Sequence, residues 1–147
     1  MFSGALADKE GRRTFPVPTM AKILIADDSR FQVQLMATHL TPKGFAVVSA
    51  ADALQTWMTA LREKPDAILL DINMPGGTGI EVLKRLRMSA KTQHIPVIVI
   101  SGNSEASIEE TARELGACEF LHKPVDVEAL GTKLAQLLGP GAFPHVH

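Results

Sequence analysis

Five short apolar segments alternate with five helical patterns in this chain, and the alternation restricts the fold more than any other feature of the sequence. The segments predict strands at residues 22–26, 45–49, 66–71, 96–100 and 118–121. Each is followed by apolar residues at helical spacing: Phe31, Leu35, Met36 and Leu40; Leu54, Trp57, Met58 and Leu61; Ile80, Val82, Leu83 and Leu86; Ile108, Ala112 and Leu115; Val127, Leu130, Leu134, Leu137 and Leu138. Strands that alternate with helices form a parallel sheet covered on both faces. We therefore predict a doubly wound α/β sandwich with five helices and the common strand order 2-1-3-4-5.

The regular pattern occupies residues 21–139, which we predict to be one folded domain. Residues 1–20 mix Gly, Pro and charged residues without a period, so we interpret them as a flexible leader, with a second possible beginning of the chain at Met20. Residues 140–147 follow a Gly-Pro-Gly sequence that ends the last helix, and they are predicted to be a tail. With so little sequence after the last helix, we expect a stand-alone domain that acts on other proteins.

Polar residues follow four of the predicted strands. Asp27 and Asp28 come after strand 1, Asp71 ends strand 3, Ser101 follows strand 4 and Lys123 follows strand 5. Strands 1 and 3 are neighbours in the predicted order, and ligands bind at the carboxyl ends of the strands of such a sheet. The sequence therefore predicts that these side chains meet in one crevice.

Three converging carboxylates require a cation. At an effective dielectric constant near 20, each pair of carboxylates about 4 Å apart repels by about 4 kcal/mol. The candidate ligands are all oxygen atoms, which favours Mg²⁺ or Ca²⁺ over zinc, and a small open cluster suits Mg²⁺. Mg²⁺ together with Lys123 would balance the three formal negative charges of Asp27, Asp28 and Asp71.

A carboxylate beside a divalent cation, an ammonium group and a hydroxyl group is suited to accept a phosphoryl group. Asp71 is the best candidate nucleophile because the Gly-rich loop after it leaves room for a donor. Asp27 and Asp28 instead run directly into a predicted helix. We therefore predict that Asp71 is the phosphoacceptor.

The set of strand-end residues resembles that of response-regulator receiver domains of two-component systems, in particular the single-domain chemotaxis regulator. The resemblance covers residues 22 to about 138 and rests on four separate segments in the same order: Asp27-Asp28; Asp71 with Met74-Pro75 and Gly79; Ser101-Gly102; and Phe120-Leu121-His122-Lys123-Pro124. It implies a flavodoxin-like fold and transfer of a phosphoryl group from a kinase phosphohistidine to Asp71. It also implies self-catalysed phosphotransfer and dephosphorylation by a signalling domain that is not a classical enzyme.

The resemblance further assigns roles to individual residues. Asp28, Asp71 and the main-chain carbonyl of Asn73 would bind Mg²⁺ directly, with Asp27 acting through a water molecule. Lys123, in a cis peptide bond with Pro124, would contact the phosphoryl oxygens. Ser101 would hydrogen-bond those oxygens, and Phe120, the aromatic switch residue, would turn inward and alter the face of helix 4, strand 5 and helix 5. Asn73 and Asn103 lie at positions that tune hydrolysis in the family.

Three other functions remain open at the level of sequence. A haloacid-dehalogenase-like phosphatase would also use Asp71 as a nucleophile, but its acid/base Asp would stand where this chain has Asn73. A flavin-mononucleotide binder needs a phosphate loop after strand 1, where Asp27 and Asp28 would repel the phosphate. An interaction domain without phosphorylation would have little reason to keep five matching groups.

Composition narrows the range of partners. A net charge of −1 and a pI near 6.5 give no electrostatic footprint for nucleic acid. No signal peptide or long apolar segment predicts export or membrane insertion, and the single cysteine, Cys118, fits a reducing cytoplasm. We expect a cytoplasmic monomer or weak dimer whose partners are a histidine kinase or phosphotransfer protein and a downstream target.

Overall fold

A parallel sheet of five strands forms the centre of the protein. The computed structural model describes residues 6–7, 13–14, 20–102 and 106–139. The strands are β1 (Lys22–Ala26), β2 (Ala46–Ala50), β3 (Ala67–Asp71), β4 (Val97–Ser101) and β5 (Glu119–His122). Their order in the sheet is β2-β1-β3-β4-β5, which confirms the predicted order. Every residue of β3 and β4 is buried, which explains why both read as continuous apolar runs.

Helices connect successive strands, as the alternating pattern predicts. They are α1 (Arg30–Leu40), α2 (Ala53–Glu63), α3 (Gly79–Met88), α4 (Ala106–Glu114) and α5 (Val127–Leu138), with a 3₁₀ turn at Thr41–Lys43 after α1. Side-chain oxygens cap the N-termini of four of them, from Ser29, Asp52, Thr78 and Asp126. Among the residues that the structure describes, none of the helices has the length and apolar character that spanning a bilayer requires.

Two short antiparallel pairs accompany the main sheet. Asn73–Met74 pairs with Gly77–Thr78 in the loop between β3 and α3, and Leu6–Ala7 pairs with Arg13–Thr14 inside the predicted leader. Three parts of the chain lie outside the described residues: the rest of the leader up to residue 19, the segment 103–105, which includes Asn103, and the predicted tail at 140–147.

The hydrophobic core has two parts, one on each face of the sheet. Successive residues of β1 alternate between them, since Ile23 and Ile25 contribute to one part whereas Leu24 and Ala26 contribute to the other. Buried residues of α1 and α5 belong to the first part. Those of α2, α3 and α4 belong to the second. The prediction of helices on both faces is therefore confirmed.

Four of the apolar residues that mark the helical spacing are exposed. Phe31 is 72% exposed, Leu54 59%, Met58 52% and Leu137 38%. Phe31 lies in the first turn of α1, and the buried residues of that helix lie further along, at Met36 and Leu40. The spacing predicted the helices correctly, but the inward position expected for Leu137 on α5 was wrong.

Helix α2 shows why that spacing was misleading. Its buried residues are Thr56, Thr59 and Ala60, whose side chains are small enough to bring the helix close to the sheet. The larger apolar side chains of α2 lie on an adjacent side of the helix. Periodicity alone detected an apolar stripe but not the direction in which it points.

Candidate functional site

Three carboxylates meet at the carboxyl edge of the sheet. Asp27 and Asp28 directly follow β1, and Asp71 is the last residue of the neighbouring strand β3. One carboxylate oxygen from each residue lies within 4.8 Å of the other two. Asp27 and Asp71 are buried, at 4% and 3% exposure, whereas Asp28 is exposed. The crevice predicted from the sequence is therefore present.

Asp27 is held by the start of α1. Its Oδ1 accepts a hydrogen bond from the backbone N–H of Ser29 at 2.8 Å, and the Ser29 hydroxyl in turn caps α1 by accepting from Gln32 N–H at 3.3 Å. Burial raises the pKa of Asp27 above its usual value, and the nearby charge of Asp71 adds to this effect. The hydrogen bond from Ser29 opposes the rise without cancelling it.

Asp71 has partners on both carboxylate oxygens. Its Oδ1 accepts a hydrogen bond from Asn73 N–H at 3.1 Å, and its Oδ2 lies 3.2 Å from Lys123 Nζ. The same ammonium group is 3.8 Å from Oδ2 of Asp27. Lys123 therefore lies between the two buried carboxylates, and 30% of its side chain remains exposed to an incoming group.

Ser101 and Lys123 are positioned together by the ends of β4 and β5. The backbone N–H of Lys123 donates to the carbonyl of Ser101 at 2.9 Å, and the Lys123–Pro124 peptide bond is cis, as the resemblance implied. Ser101 is fully buried. All five strand-end residues predicted from the sequence thus lie along one edge of the sheet.

Phe120 lies inward in this structure. It is 5% exposed, belongs to the core on the α2–α4 face, and contacts the ring of His122 edge to face with centroids 5.2 Å apart. The predicted switch residue therefore occupies the inward position here, and its movement stays a prediction.

Gly79 is a site residue to which the sequence analysis gave no role of its own. Its N–H donates to the carbonyl of Ile72 at 2.7 Å, which brings the first turn of α3 against the end of β3. A Cβ atom at this position would lie 2.7 Å from the carbonyl oxygen of Asp71 and 2.6 Å from the Cα of Ile72. Only glycine allows this approach, and the Gly-rich character of the loop was the one sequence signal for it.

The donor set at this edge fits a hard divalent cation. It consists of three carboxylates with two oxygens each, and Mg²⁺ prefers oxygen ligands of this kind. The ammonium group of Lys123 compensates only part of their negative charge. A doubly wound sheet with an acidic cluster and a lysine at its carboxyl edge has the architecture of a chemotaxis-regulator-like signalling domain.

The chain belongs to the response regulator receiver domain family, whose model matches residues 23–135. It is 36% identical over 111 residues to Protein PilH of Pseudomonas aeruginosa, covering 76% of this chain and 92% of that protein. It is also 36% identical over 117 residues to the response regulator PleD of Caulobacter vibrioides, which covers 80% of this chain but only 26% of PleD. The chain thus spans about a quarter of the length of that relative.

A solved structure supports the same assignment. The chemotaxis response regulator CheY4 of Vibrio cholerae superposes with a TM-score of 0.75 and is 31% identical, covering 82% of this chain and all of that one (100%). The sequence-based resemblance to receiver domains and the predicted flavodoxin-like fold are therefore confirmed.

Proposed function

We propose that Asp71 accepts a phosphoryl group from the phosphohistidine of a histidine kinase or a phosphotransfer protein. The observation that carries this proposal is the contact of 3.2 Å between Lys123 Nζ and Asp71 Oδ2 inside the acidic cluster. The other oxygen of the buried Asp71 carboxylate, Oδ1, accepts a hydrogen bond from Asn73 N–H. This bond fixes the orientation of the carboxylate for attack on a phosphorus atom. Membership of the receiver family supports the same role.

In the transfer step, a carboxylate oxygen of Asp71 attacks the phosphorus atom and forms an acyl phosphate. The phosphorus–nitrogen bond of the donor breaks, and its electron pair stays on the imidazole nitrogen, which takes up a proton from solvent. Lys123 faces the phosphoryl oxygens and neutralises their charge as the group is transferred.

The acidic cluster would hold Mg²⁺ through Asp28, Asp71 and the main-chain carbonyl of Asn73, with Asp27 acting through a water molecule. The closeness of the three carboxylates and the exposure of Asp28 to solvent support this arrangement. When bound, Mg²⁺ would supply positive charge to offset that of the carboxylates and of the incoming phosphoryl group. The protein's own part is to hold the carboxylates in place, which Ser29 N–H does for Asp27 and Asn73 N–H does for Asp71.

The output of the domain would be a change in the face formed by α4, β5 and α5. Contacts between partly exposed polar side chains connect these three elements: Glu109 with His122 at 3.6 Å, Arg113 with Glu119 at 3.7 Å, and Glu119 with Lys133 at 3.5 Å. A change at Ser101 and Phe120 therefore has a connected surface on which to act. The domain would signal in the cytoplasm, as a monomer or weak dimer, by binding a target or by passing on the phosphoryl group.

Phosphorylation with a small phosphodonor tests the proposal. With acetyl phosphate and Mg²⁺, the wild-type chain should acquire a base-labile phosphate, and it should acquire little when Mg²⁺ is chelated. Asp71→Asn should remain unlabelled, whereas Asp66→Asn, which changes a carboxylate outside the cluster, should label like wild type. Label that persists on Asp71→Asn would contradict the assignment of the phosphoacceptor.

The phosphatase alternative is not favoured. An acid/base carboxylate would be needed at position 73, where the chain has an asparagine whose N–H donates to Asp71. The chain should therefore not turn over exogenous phosphoesters under conditions in which it accepts a phosphoryl group.

A further inference from the structure

Helix α2 carries an apolar stripe that the core does not use. The α2 stripe consists of Leu54, Trp57, Met58 and Leu61, spaced so that all four share one side of the helix. Leu54 and Met58 are 59% and 52% exposed, while Trp57 and Leu61 are partly buried. The stripe extends over two turns, or about 11 Å. It is the most regular apolar pattern of this helix, and none of its residues belongs to the proposed phosphoryl site.

A groove between α2 and α3 lies beside the first half of the α2 stripe, at Leu54 and Trp57. It has a volume of about 390 Å³, and Ala53 and Val82 complete its apolar part. Arg85 of α3 closes one side, with its guanidinium carbon 4.5 Å from the centre of the Trp57 ring. Side chains of one helix pack into grooves of this kind on another.

The charge beside the groove is positive toward the C-terminal half of α3. Arg85 and its neighbour Lys84 are exposed, and within the described part of the chain neither has a carboxylate partner. Glu81 lies one turn before Arg85, near the end of the groove that Gly76 lines. An occupant that brings carboxylates to Arg85 would therefore complement the surface.

We propose that the α2 stripe binds an amphipathic helix of a partner protein, with apolar side chains against Leu54 and Met58 and carboxylates facing Arg85. This surface contains no residue of α4, β5 or α5, and binding there does not depend on phosphorylation of Asp71. The domain thus has a second docking surface besides its proposed output face.

A second copy of the chain fits this surface less well. A two-fold contact through the α2 stripe would bring Arg85 and Lys84 of both copies to one interface with only one Glu81 from each, which leaves an excess of positive charge. This charge argument favours an acidic helix over a second copy. Four side chains along two turns also bury far less than the roughly 800 Å² per partner of a stable interface, so the complex should be transient.

Two labelled synthetic helices test the proposal on the full chain. Each has Leu at four positions spaced like the α2 stripe; one has Glu beside the leucines and the other has Lys. Fluorescence anisotropy should show saturable binding of the acidic helix and at least tenfold weaker binding of the basic one. Trp57 is the one tryptophan of the chain, so its fluorescence emission reports whether the helix binds at the α2 stripe. The emission should change in parallel with binding.

Variants then distinguish specific binding at the α2 stripe from nonspecific hydrophobic binding. Leu54→Ser combined with Met58→Ser should weaken binding of the acidic helix at least tenfold, and Arg85→Glu should shift the preference to the basic helix. Phe31→Ser, which removes an exposed apolar side chain from α1, is the matched control and should bind like wild type. Circular dichroism melts check that each variant is folded.

Three results would overturn the proposal: equal binding of the two helices, binding that Leu54→Ser with Met58→Ser does not change, or no saturable binding. Self-association in sedimentation velocity that the same double substitution removes would also overturn it, in favour of a contact between two copies. None of these measurements uses a phosphodonor, so their outcome is separate from that of the proposed function.

Discussion

Asp27 illustrates how function at a single residue opposes stability. Its carboxylate is buried beside Asp71, and Lys123 approaches it only to 3.8 Å. Burial raises its pKa, so the folded protein binds the proton of Asp27 more tightly than the unfolded chain does. Ionisation of Asp27 therefore opposes folding. The opposing contribution grows as the pH rises from the unfolded pKa of about 3.9 and is complete above the folded pKa.

Asp27→Asn should consequently stabilise the protein at pH 7 in the absence of divalent cations. Asparagine keeps an oxygen that can accept from Ser29 N–H but removes the buried charge. We expect a melting temperature higher by about 4 °C, which corresponds to about 1 kcal/mol in a domain of this size. The gain should shrink as the pH falls through the folded pKa of Asp27 and should be nearly absent below about 4, where the wild-type carboxyl group is protonated in both states.

Asp52→Asn is the control for that measurement, because Asp52 also accepts a backbone hydrogen bond, from Gln55 N–H at 2.8 Å, but lies outside the cluster. It should change the melting temperature little. A melting temperature of Asp27→Asn at or below that of wild type would show that the buried charge is compensated by other groups.

At this scale the sequence predicted which side chains lie together at one edge of the sheet. Asp27, Asp28, Asp71, Ser101 and Lys123 were recognisable because each follows a strand, and the ends of parallel strands share one edge. The Gly-rich loop was visible in the sequence, but the reason for a glycine at position 79 was not, because the atoms that it approaches belong to the backbone of Asp71 and Ile72.

At the scale of elements, the first turn of α3 is packed directly on the end of β3. The hydrogen bond from Gly79 N–H to Ile72 fixes the two elements one residue away from the proposed phosphoacceptor. Any displacement of this turn would therefore move the backbone of Asp71.

Gly79→Ala should destabilise the protein even though alanine is the better helix former by up to about 1 kcal/mol. The added methyl group overlaps backbone atoms, and overpacking of this kind costs about 1–3 kcal/mol. Urea denaturation should show this loss. In Gly102→Ala, the matched control, the added atom would meet Lys123 Cδ at an ordinary 3.9 Å, and stability should change little. Equal stability of the two variants would contradict the tight contact.

The elements differ in how well the sequence predicted them. Strands β3 and β4 were evident because both are buried on both faces, and every residue before the last one of each strand is apolar. The orientation of α2 was not evident, because the helix places threonines and an alanine against the sheet and leaves larger apolar residues outside. Which side of an amphipathic helix is buried depends on the space above the sheet, and only the folded structure defines that space.

At the scale of the whole molecule, the core is contained within the predicted domain. Both parts of the core, as described, draw on residues from Ala21 to Leu138 only. The pair of Leu6–Ala7 with Arg13–Thr14 forms a sheet of its own, separate from the five-stranded sheet. The boundaries 21–139 stay a prediction, which removal of the leader tests.

Deletion of residues 1–19 should then leave the melting temperature within about 2 °C of the full-length value, because it removes no described core residue. Labelling with acetyl phosphate should be retained as well. Thermal melts of the two chains check the first expectation. A decrease of more than about 5 °C would show that the leader contributes to the folded domain.

The most direct test of the account is to locate the phosphoryl group chemically. After incubation with acetyl phosphate and Mg²⁺, borohydride reduces an aspartyl phosphate to homoserine, which tandem mass spectrometry assigns to a position. The account predicts homoserine at position 71 and at no other aspartate, and none without Mg²⁺. Homoserine at a different position, or an unmodified chain in the presence of donor and Mg²⁺, would contradict it.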